Sequence, residues 1–180
     1  MASLNRPYFD LRQTQKIAEA FSRNEVEYLF IGKGGAIILG YPGATQDVDL
    51  FPAKSKENAR RIIKALGELD FQISAVSQAD ILAGKDFVQL KDGPFDLDLV
   101  FAPDGIESFK TANARRHLVE GLPVANIRDI IASKRASGRE KDFVDLPLLE
   151  DFREEFEKSL RGELKSAVEI ALEQTRSDAE

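Results

Sequence analysis

The amino-acid sequence predicts an α/β protein, in the broad sense that includes α+β. Segments with helical and strand-like periodicity alternate along the first two thirds of the chain. The 180 residues are 43% apolar, which is enough for one well-formed core with a small helical appendage. From residue 126 onward the pattern is helical. We therefore expect a core over residues 1–125 and a C-terminal helical segment over residues 126–180 that packs on it.

The first half of the core begins with a helix. Apolar residues at helical spacing predict an amphipathic helix over residues 10–23, and the apolar run 28–31 predicts a buried strand. A short helix over residues 34–39 should follow and end at a glycine-rich turn. Residues 47–51 predict the next strand, which Pro52 stops.

A second group of elements follows. An i, i+3, i+4, i+7 stripe predicts a helix over residues 55–68, with Ser55 as its N-cap. Residues 71–76 have the composition of a strand. The runs 87–90 and 95–101 flank a Lys-Asp-Gly-Pro turn, and this arrangement predicts an antiparallel hairpin.

The last third is mostly helical in pattern. A helical segment is expected from Ile106 and an extended piece at 122–124, after which Asn126 should cap a helix. Beyond it the chain is predicted helical to its end, with a kink or restart at Pro147. An apolar stripe at four-residue spacing is formed by Leu160, Leu164, Val168 and Leu172. We expect this stripe to pack on the body of the protein or on another subunit.

Composition excludes several classes of site. The chain has no cysteine, so disulfides, thiolate zinc sites and cysteine nucleophiles are excluded, and the single His117 excludes a multi-histidine metal site. The formal charge of −6 argues against broad binding to nucleic acid. Local basic patches are restricted to residues 115–117 and 134–141, and Arg115 and Arg116 are interpreted as solvated charges near helix ends.

Targeting signals are not evident in the sequence. The first residues lack the apolar core of a signal peptide, and no apolar run is long enough to span a bilayer. We therefore expect a soluble, cytoplasmic protein without a membrane partner.

Two pairs of aspartates are the main candidates for chemistry. Asp47 and Asp49 are separated by one residue on a predicted strand, so their side chains share a face. Such close carboxylates repel each other unless a divalent cation neutralises them, and oxygen ligands suit Mg²⁺ or Mn²⁺. Asp96 and Asp98 repeat this geometry, and one of them would complete a two-metal site. The alternative is that each pair is the solvated face of an edge strand.

A glycine pair lies between a predicted buried strand and an apolar helix. N–H groups at a helix start bind anions, so Gly34 and Gly35 would cradle a triphosphate. A tight strand-to-helix turn is the alternative. The sequence around them is neither a P-loop nor a dinucleotide-binding fingerprint.

A lysine occupies an unexpected position on a predicted helix. Lys134 continues the inward apolar stripe of Ile127, Ile130 and Ile131. It must either extend its ammonium group to water or meet an anion such as a triphosphate. Asp142 and Asp145 would either orient Lys134 or cap the start of a helix.

These segments occur in the order of a known family. Residues 30–35 (Phe-Ile-Gly-Lys-Gly-Gly), 45–50 (Thr-Gln-Asp-Val-Asp-Leu), 98–100 (Asp-Leu-Val) and the lysine, arginine and Asp-x-x-Asp pattern of 130–146 carry the likeness. Over residues 26–150 the chain resembles the polymerase-β-type nucleotidyltransferase superfamily, specifically its minimal, abortive-infection (type IV toxin-like) branch. The resemblance implies a mixed β-sheet with flanking helices, binding of a nucleoside triphosphate with Mg²⁺, and release of pyrophosphate.

The resemblance also implies roles for individual residues. Asp47 and Asp49 would be catalytic metal ligands, with Asp98 rather than Asp96 as the third carboxylate. The nucleotide-binding residues that it implies are Lys33, Gly34, Gly35, Thr45 and Lys134. Relatives often carry an arginine where this chain has Gly43. This departure implies weaker triphosphate binding, compensation by Lys33, or a decayed activity.

The expected function is Mg²⁺-dependent transfer of a nucleotidyl group from a nucleoside triphosphate to a hydroxyl acceptor. A toxin-like role implies an RNA 3′ end or a protein as acceptor. One alternative is a nucleotidyltransferase that modifies a small molecule such as an antibiotic. Another is a catalytically decayed nucleotide-binding, antitoxin-like partner. An antitoxin or a second copy of the chain would be the macromolecular partner.

Overall fold

The computed structural model describes residues 10–177 and contains a six-stranded sheet. Its strands are β1 (Tyr28–Ile31), β2 (Asp47–Pro52), β3 (Phe87–Leu90), β4 (Asp96–Val100), β5 (His117–Val119) and β6 (Leu122–Val124). They lie in the order β3-β4-β2-β1-β6-β5. Pairs β2–β4 and β1–β6 are parallel, and the other three pairs are antiparallel. The expected mixed sheet and the β3–β4 hairpin are confirmed.

Helices flank this sheet. They are α1 (Leu11–Arg23), α2 (Gly32–Ile38), α3 (Lys56–Glu68), α4 (Ala75–Ala83), α5 (Phe109–Ala114), α6 (Ile127–Ser137) and α7 (Glu140–Ser177). Helix α3 contacts α1 and α4, whereas α6 contacts α2 and α7. Among residues 10–177, no helix is both long enough and apolar enough to cross a membrane. The architecture confirms the predicted α/β class with its C-terminal helical segment.

The core forms where the sequence pattern is continuously apolar. All four residues of β1 are buried, as expected for a central strand between β2 and β6. In β2 the alternation places Val48 and Leu50 in the core and leaves Asp47 and Asp49 half-buried on the other face.

Two helix caps form at the residues that the sequence predicts. Ser55 Oγ accepts from the Asn58 N–H at 3.0 Å, and the Asn126 side chain accepts from the Arg128 N–H at 3.0 Å.

The strand predicted over residues 71–76 is wrong. Residues 71–74 are irregular and α4 begins at Ala75, because the Ser74 Oγ accepts from the Ser77 N–H at 3.1 Å and caps a helix there. Phe71 is buried by an edge-to-face contact with Phe95, at 5.1 Å between ring centroids. Phe71 is therefore buried without joining the sheet, whereas Val76 lies on α4 and is 72% exposed.

The continuous helix predicted beyond Asn126 is interrupted at a glycine. Helix α6 ends at Ser137, where Gly138 adopts a left-handed φ of 63° and its N–H donates to the Lys134 carbonyl at 3.3 Å. By contrast, α7 continues through Pro147, so the expected restart there is wrong. Pro147 is exposed, so water can reach the carbonyl that its missing N–H would have bonded.

The first half of α7 packs on the body and the second half does not. Leu146 and Leu149 are buried, and the Phe152 ring lies edge-on to Tyr41. From residue 158 to 176 every residue is exposed, and the apolar stripe predicted there lies in this part: Leu160, Leu164, Val168 and Leu172. The expectation that this stripe packs on the body is wrong. Its contact with another subunit, and the division of the chain at residue 125, stay predictions.

Arg115 is not simply a solvated charge. Its Nε and Nη2 donate to both carboxylate oxygens of the buried Asp129, at 2.7 and 2.6 Å, and Nη2 also donates to Glu107 at 2.7 Å. A bidentate pair of this kind neutralises the buried carboxylate. Arg116 is exposed and donates to the Asn113 carbonyl, in agreement with its interpretation as a solvated residue.

The helix expected from Ile106 begins only at Phe109, because Ser108 caps it.

Candidate active site

The two aspartate pairs meet on one face of the sheet. Strands β2 and β4 are parallel neighbours, with Asp47 opposite Asp96 and Asp49 opposite Asp98. Paired residues of adjacent strands project to the same side, and neighbouring strands lie about 4.8 Å apart. The register therefore brings four carboxylate-bearing positions together. The alternative of two separate edge-strand faces is wrong, since β2 and β4 are both interior strands.

Two of these carboxylates, Asp49 and Asp98, are poorly solvated and lie close to other negative charges. Burial, together with the charges of Asp98 and Asp47, raises the pKa of Asp49 to about 7. Burial also raises the pKa of Asp98, and the charge of Asp47 adds to it, although contact with Gln89 acts in the opposite direction. Within the described residues, Asp98 Oδ1 is buried and has no hydrogen-bond partner.

This donor set fits a hard divalent cation. In the part of the chain that the structure describes, no three acidic or histidine side chains form a preformed metal cluster. The fit rests instead on chemistry: the donors are carboxylate oxygens, they repel each other, and one buried oxygen has no protein partner. Mg²⁺ and Mn²⁺ prefer oxygen ligands and would neutralise this repulsion. Asp47, Asp49 and Asp98 are the residues that would hold them.

The helix that follows β1 begins earlier than expected. Helix α2 begins at Gly32 rather than at the Gly34-Gly35 pair. The first four N–H groups of a helix have no partner within it, and by position this set includes Lys33 and Gly34 but not Gly35. A Cβ at position 35 would lie 3.0 Å from the Phe30 carbonyl oxygen and 3.3 Å from Ile130 Cδ1. Gly35 therefore packs tightly against β1 and α6, and the phosphate roles of Gly34 and Gly35 stay predictions.

Gly32 is a site residue to which sequence reasoning gave no role. It has a φ of +65°, and a Cβ there would lie 2.3 Å from Asp49 Oδ2. A side chain at this position would clash with the carboxylate, so glycine allows Asp49 to lie against the start of α2. The detectable signal was a third glycine directly after the buried strand, in the Gly-Lys-Gly-Gly run.

Lys134 is buried among charges rather than directed to water. Its Nζ lies 3.1 Å from Asp142 Oδ1 and 3.7 Å from Asp145 Oδ2, and the residue is only 8% exposed. Its positive charge partly opposes the rise in the pKa of Asp49. The ammonium group therefore acts on the acidic cluster. The alternative in which Lys134 extends to solvent is wrong.

Asp142 holds the cations of this region in place. It is fully buried and accepts from Lys134 Nζ at 3.1 Å, Ser137 Oγ at 2.8 Å and Arg139 Nε at 2.6 Å. Burial alone would raise the pKa of Asp142, but the hydrogen bonds outweigh it and lower the pKa to about 2. Of the two roles considered for Asp142, orienting Lys134 is thus supported by direct contact.

A second lysine joins the same network. Lys33 Nζ lies 3.2 Å from Asp145 Oδ1, so Asp145 bridges Lys33 and Lys134. A Cβ at Gly43 would lie 3.4 Å from Lys33 Cε. Lys33 therefore lies beside the position at which relatives often carry an arginine. Thr45 is half-buried in the loop that leads into β2. The predicted nucleotide-binding residues therefore lie on segments that adjoin the acidic cluster.

The network of Asp142 predicts a specific pH dependence. Its pKa is lower in the folded state (about 2) than its ordinary value of 3.8, so the folded protein binds fewer protons and Asp142 stabilises it above pH 4. We expect Asp142→Asn to lower the free energy of unfolding by about 2 kcal/mol at pH 7. The difference from wild type should vanish as the pH falls from 4 towards 2.

Urea unfolding between pH 2 and 7 measures this difference. Asp151→Asn is the matched control, since Asp151 is an exposed carboxylate on the same helix. A pH-independent difference for Asp142→Asn would contradict the prediction.

Comparisons with known proteins agree with this fold. No family model and no curated protein matches the sequence. The lincosamide antibiotic adenylyltransferase LnuA, solved with lincomycin bound, aligns with a TM-score of 0.51 at 15% identity, over 80% of this chain and 98% of LnuA. The antibiotic-resistance factor ANT(2'')-Ia aligns with a TM-score of 0.52 at 16% identity, over 93% of this chain and 98% of that chain. At these identities the likeness establishes a shared nucleotidyltransferase fold, and the abortive-infection branch stays a prediction.

Proposed function

We propose that this protein is a Mg²⁺-dependent nucleotidyltransferase that transfers a nucleotidyl group from a nucleoside triphosphate to a hydroxyl acceptor. The observation that carries the proposal is the β2–β4 register, which sets Asp49 opposite Asp98 and Asp47 opposite Asp96, with the buried Lys134 acting on Asp49. Burying several carboxylates together costs free energy, because they repel each other. Binding of cations and of a polyanion at this site would explain why the carboxylates are present. The fold that the chain shares with LnuA and ANT(2'')-Ia supports the same reaction class.

The acidic cluster would serve the hydroxyl side of the reaction. The acceptor oxygen forms a bond to the α-phosphorus while the bond from that phosphorus to the bridging oxygen breaks, and pyrophosphate leaves with the electron pair. Asp98, which lies opposite Asp49 in the β2–β4 register, would accept the proton of the attacking hydroxyl. Bound Mg²⁺ would supply neutralisation of the carboxylates and of the phosphate charge.

The cationic network would serve the phosphate side. Lys134 would act as a fixed point charge towards the leaving phosphates, because Asp142 and Asp145 hold its ammonium group in place. Gly34 would contribute its N–H at the start of α2. Lys33 adjoins Gly43, and this supports compensation by Lys33 for the missing arginine over a decayed activity.

A labelling experiment distinguishes three acceptor classes. The toxin-like resemblance favours an RNA 3′ end or a protein, whereas the likeness to LnuA, a lincosamide antibiotic adenylyltransferase, and to the antibiotic-resistance factor ANT(2'')-Ia favours a small molecule. Incubation with each α-³²P-labelled nucleoside triphosphate, Mg²⁺ and cell extract would show which fraction acquires label. Nucleotide binding without pyrophosphate release would instead indicate the decayed, antitoxin-like partner.

The third carboxylate is testable within this proposal. We expect Asp98→Asn to reduce pyrophosphate release by at least a hundredfold, because its carboxylate is the buried one that faces Asp49. Asp96→Asn is the matched control on the same strand face, and its activity should stay within tenfold of wild type. Pyrophosphate release measured at saturating nucleotide separates the two. Loss of activity in Asp96→Asn alone would reverse the assignment.

A further inference from the structure

The ring of Tyr41 lies beside the aliphatic part of Lys33. A Cβ on residue 43 would lie 2.9 Å from Tyr41 Cε1 and 3.4 Å from Lys33 Cε, so both side chains border the same small space. Gly43 leaves this space to the ring, since a Cβ at 2.9 Å would force the ring to move. The φ of Gly43 is not left-handed, so its backbone does not by itself require glycine. The packing of Tyr41 is therefore the constraint on residue 43.

The Tyr41 ring is fixed from two sides. Its backbone N–H donates to the Ala36 carbonyl at 2.9 Å, which ties the residue to the end of α2. The ring of Phe152 on α7 lies edge-on to it, with 5.7 Å between the ring centroids and 75° between the planes. Tyr41 is only 5% exposed. The ring therefore forms a fixed wall between α2 and α7.

The charged end of Lys33 is held separately. Its Nζ lies 3.2 Å from Asp145 Oδ1 on α7, and its side chain is 29% exposed. A lysine stem has several rotatable bonds and loses much conformational freedom when it is fixed, so a wall beside the stem restricts where the ammonium group can lie. Burial raises the pKa of the Tyr41 phenol, the charge of Asp145 adds to the rise, and the charge of Lys33 opposes it. These effects agree with a tyrosine that lies against this ion pair.

We infer that Tyr41 is a positioning residue for Lys33: its ring holds the lysine stem so that the ammonium group stays on the phosphate side of the site, beside Asp145. Without the ring, the stem would populate other rotamers, and the ammonium group would be in place for the phosphates of a nucleoside triphosphate for only part of the time. This inference rests on the proposed function, in which Lys33 is a nucleotide-binding residue.

The ring of Tyr41, rather than its hydroxyl group, carries this role. Within residues 10–177 the hydroxyl forms no hydrogen bond, whereas the ring contacts Phe152 and borders the space beside Lys33. Phenylalanine keeps the ring, so Tyr41→Phe should bind nucleotide as wild type does. Leucine is apolar but smaller and lacks the planar ring, so Tyr41→Leu should release the lysine stem.

Calorimetric titration with the α,β-methylene analogues of ATP, GTP, CTP and UTP in Mg²⁺ buffer tests this role without requiring catalysis. We expect Tyr41→Leu to weaken binding by roughly tenfold, the lower end of the loss expected for one charge-assisted contact. In the Lys33→Met background the same substitution should change the affinity by less than about twofold, because the group that Tyr41 positions is then absent.

Tyr28→Leu is the matched control. Tyr28 is also buried, and its ring also lies edge-on to neighbouring rings, but it begins β1, whereas Lys33 follows the end of that strand. Tyr28→Leu should lower the melting temperature as Tyr41→Leu does, yet leave nucleotide affinity unchanged in the folded protein. Phe152→Leu, which removes the ring that fixes Tyr41, is the second variant if Tyr41→Leu does not fold. It should weaken binding in the same Lys33-dependent way.

The outcomes separate this inference from the proposed function. Unchanged affinity in Tyr41→Leu, an equal loss in the Lys33→Met background, or an equal loss in Tyr28→Leu would each overturn the positioning role while the wild type still binds nucleotide. Failure of the wild type to bind any of the four analogues would overturn the proposed function itself, and this inference with it.

Discussion

Replacing Asp49 with Asn is expected to abolish nucleotidyl transfer, with a loss of roughly a thousandfold or more. The Asp49 carboxylate lies against the start of α2 and opposite Asp98. An amide at position 49 removes the negative charge that both cation binding and proton acceptance by Asp98 require. The same loss is expected for Asp47→Asn, which shares its strand face. Pyrophosphate release at saturating nucleotide and Mg²⁺ measures the effect.

The fold should survive the Asp49 substitution and even gain stability at high pH. The raised pKa of Asp49 means that the folded chain binds more protons than the unfolded chain between pH 4 and 7. Ionisation of Asp49 therefore lowers stability as the pH rises through this interval, and Asn removes that cost. We expect a higher melting temperature than wild type at pH 8 in EDTA, and no gain at pH 4.

A surface carboxylate on the β3–β4 turn provides the control for Asp49. Asp92→Asn removes the same charge from an exposed position and should change neither activity nor melting temperature. Retained activity in Asp49→Asn would remove this residue from the site. A large fall in its melting temperature would indicate a structural role instead.

Replacing Lys134 with Met is expected to weaken nucleotide binding by about 1.5–3 kcal/mol, the size of a charge-assisted contact. The substitution also affects the stability of the nucleotide-free protein, because Lys134 is a partner of the fully buried Asp142. Since Ser137 and Arg139 remain as donors to Asp142, we expect a loss of about 1–3 kcal/mol in the free energy of unfolding.

Calorimetric titration with a non-hydrolysable nucleoside triphosphate, combined with urea unfolding, separates the two effects of Lys134. Arg135→Met is the matched control, because it removes a cation from the next position of α6, where Arg135 pairs with Glu150 at the surface. It should leave both quantities nearly unchanged. Nucleotide affinity that is unaltered in Lys134→Met, together with lowered stability, would limit this lysine to a structural role.

Several features of the fold were predictable because their causes are local. The caps at Ser55 and Asn126 involve residues within three positions of each other, and the β3–β4 hairpin follows from a four-residue turn between two apolar runs. Local rules failed where a tertiary contact competed with them. At Phe71 an aromatic contact with Phe95 replaced strand formation.

By itself the sequence determined the elements and the residues that could take part in chemistry: the alternation of aspartates on two strands, the glycine run after a buried strand, and the lysine on an apolar helix stripe. Only the tertiary structure decided that Asp49 faces Asp98 and that Asp142 holds Lys134. The physical reason is that periodicity and capping act within a few residues. Strand register, burial and charge pairing instead join separate elements, which in the case of Asp49 and Asp98 are far apart in the sequence, and their energies exist only once the core has brought these elements together.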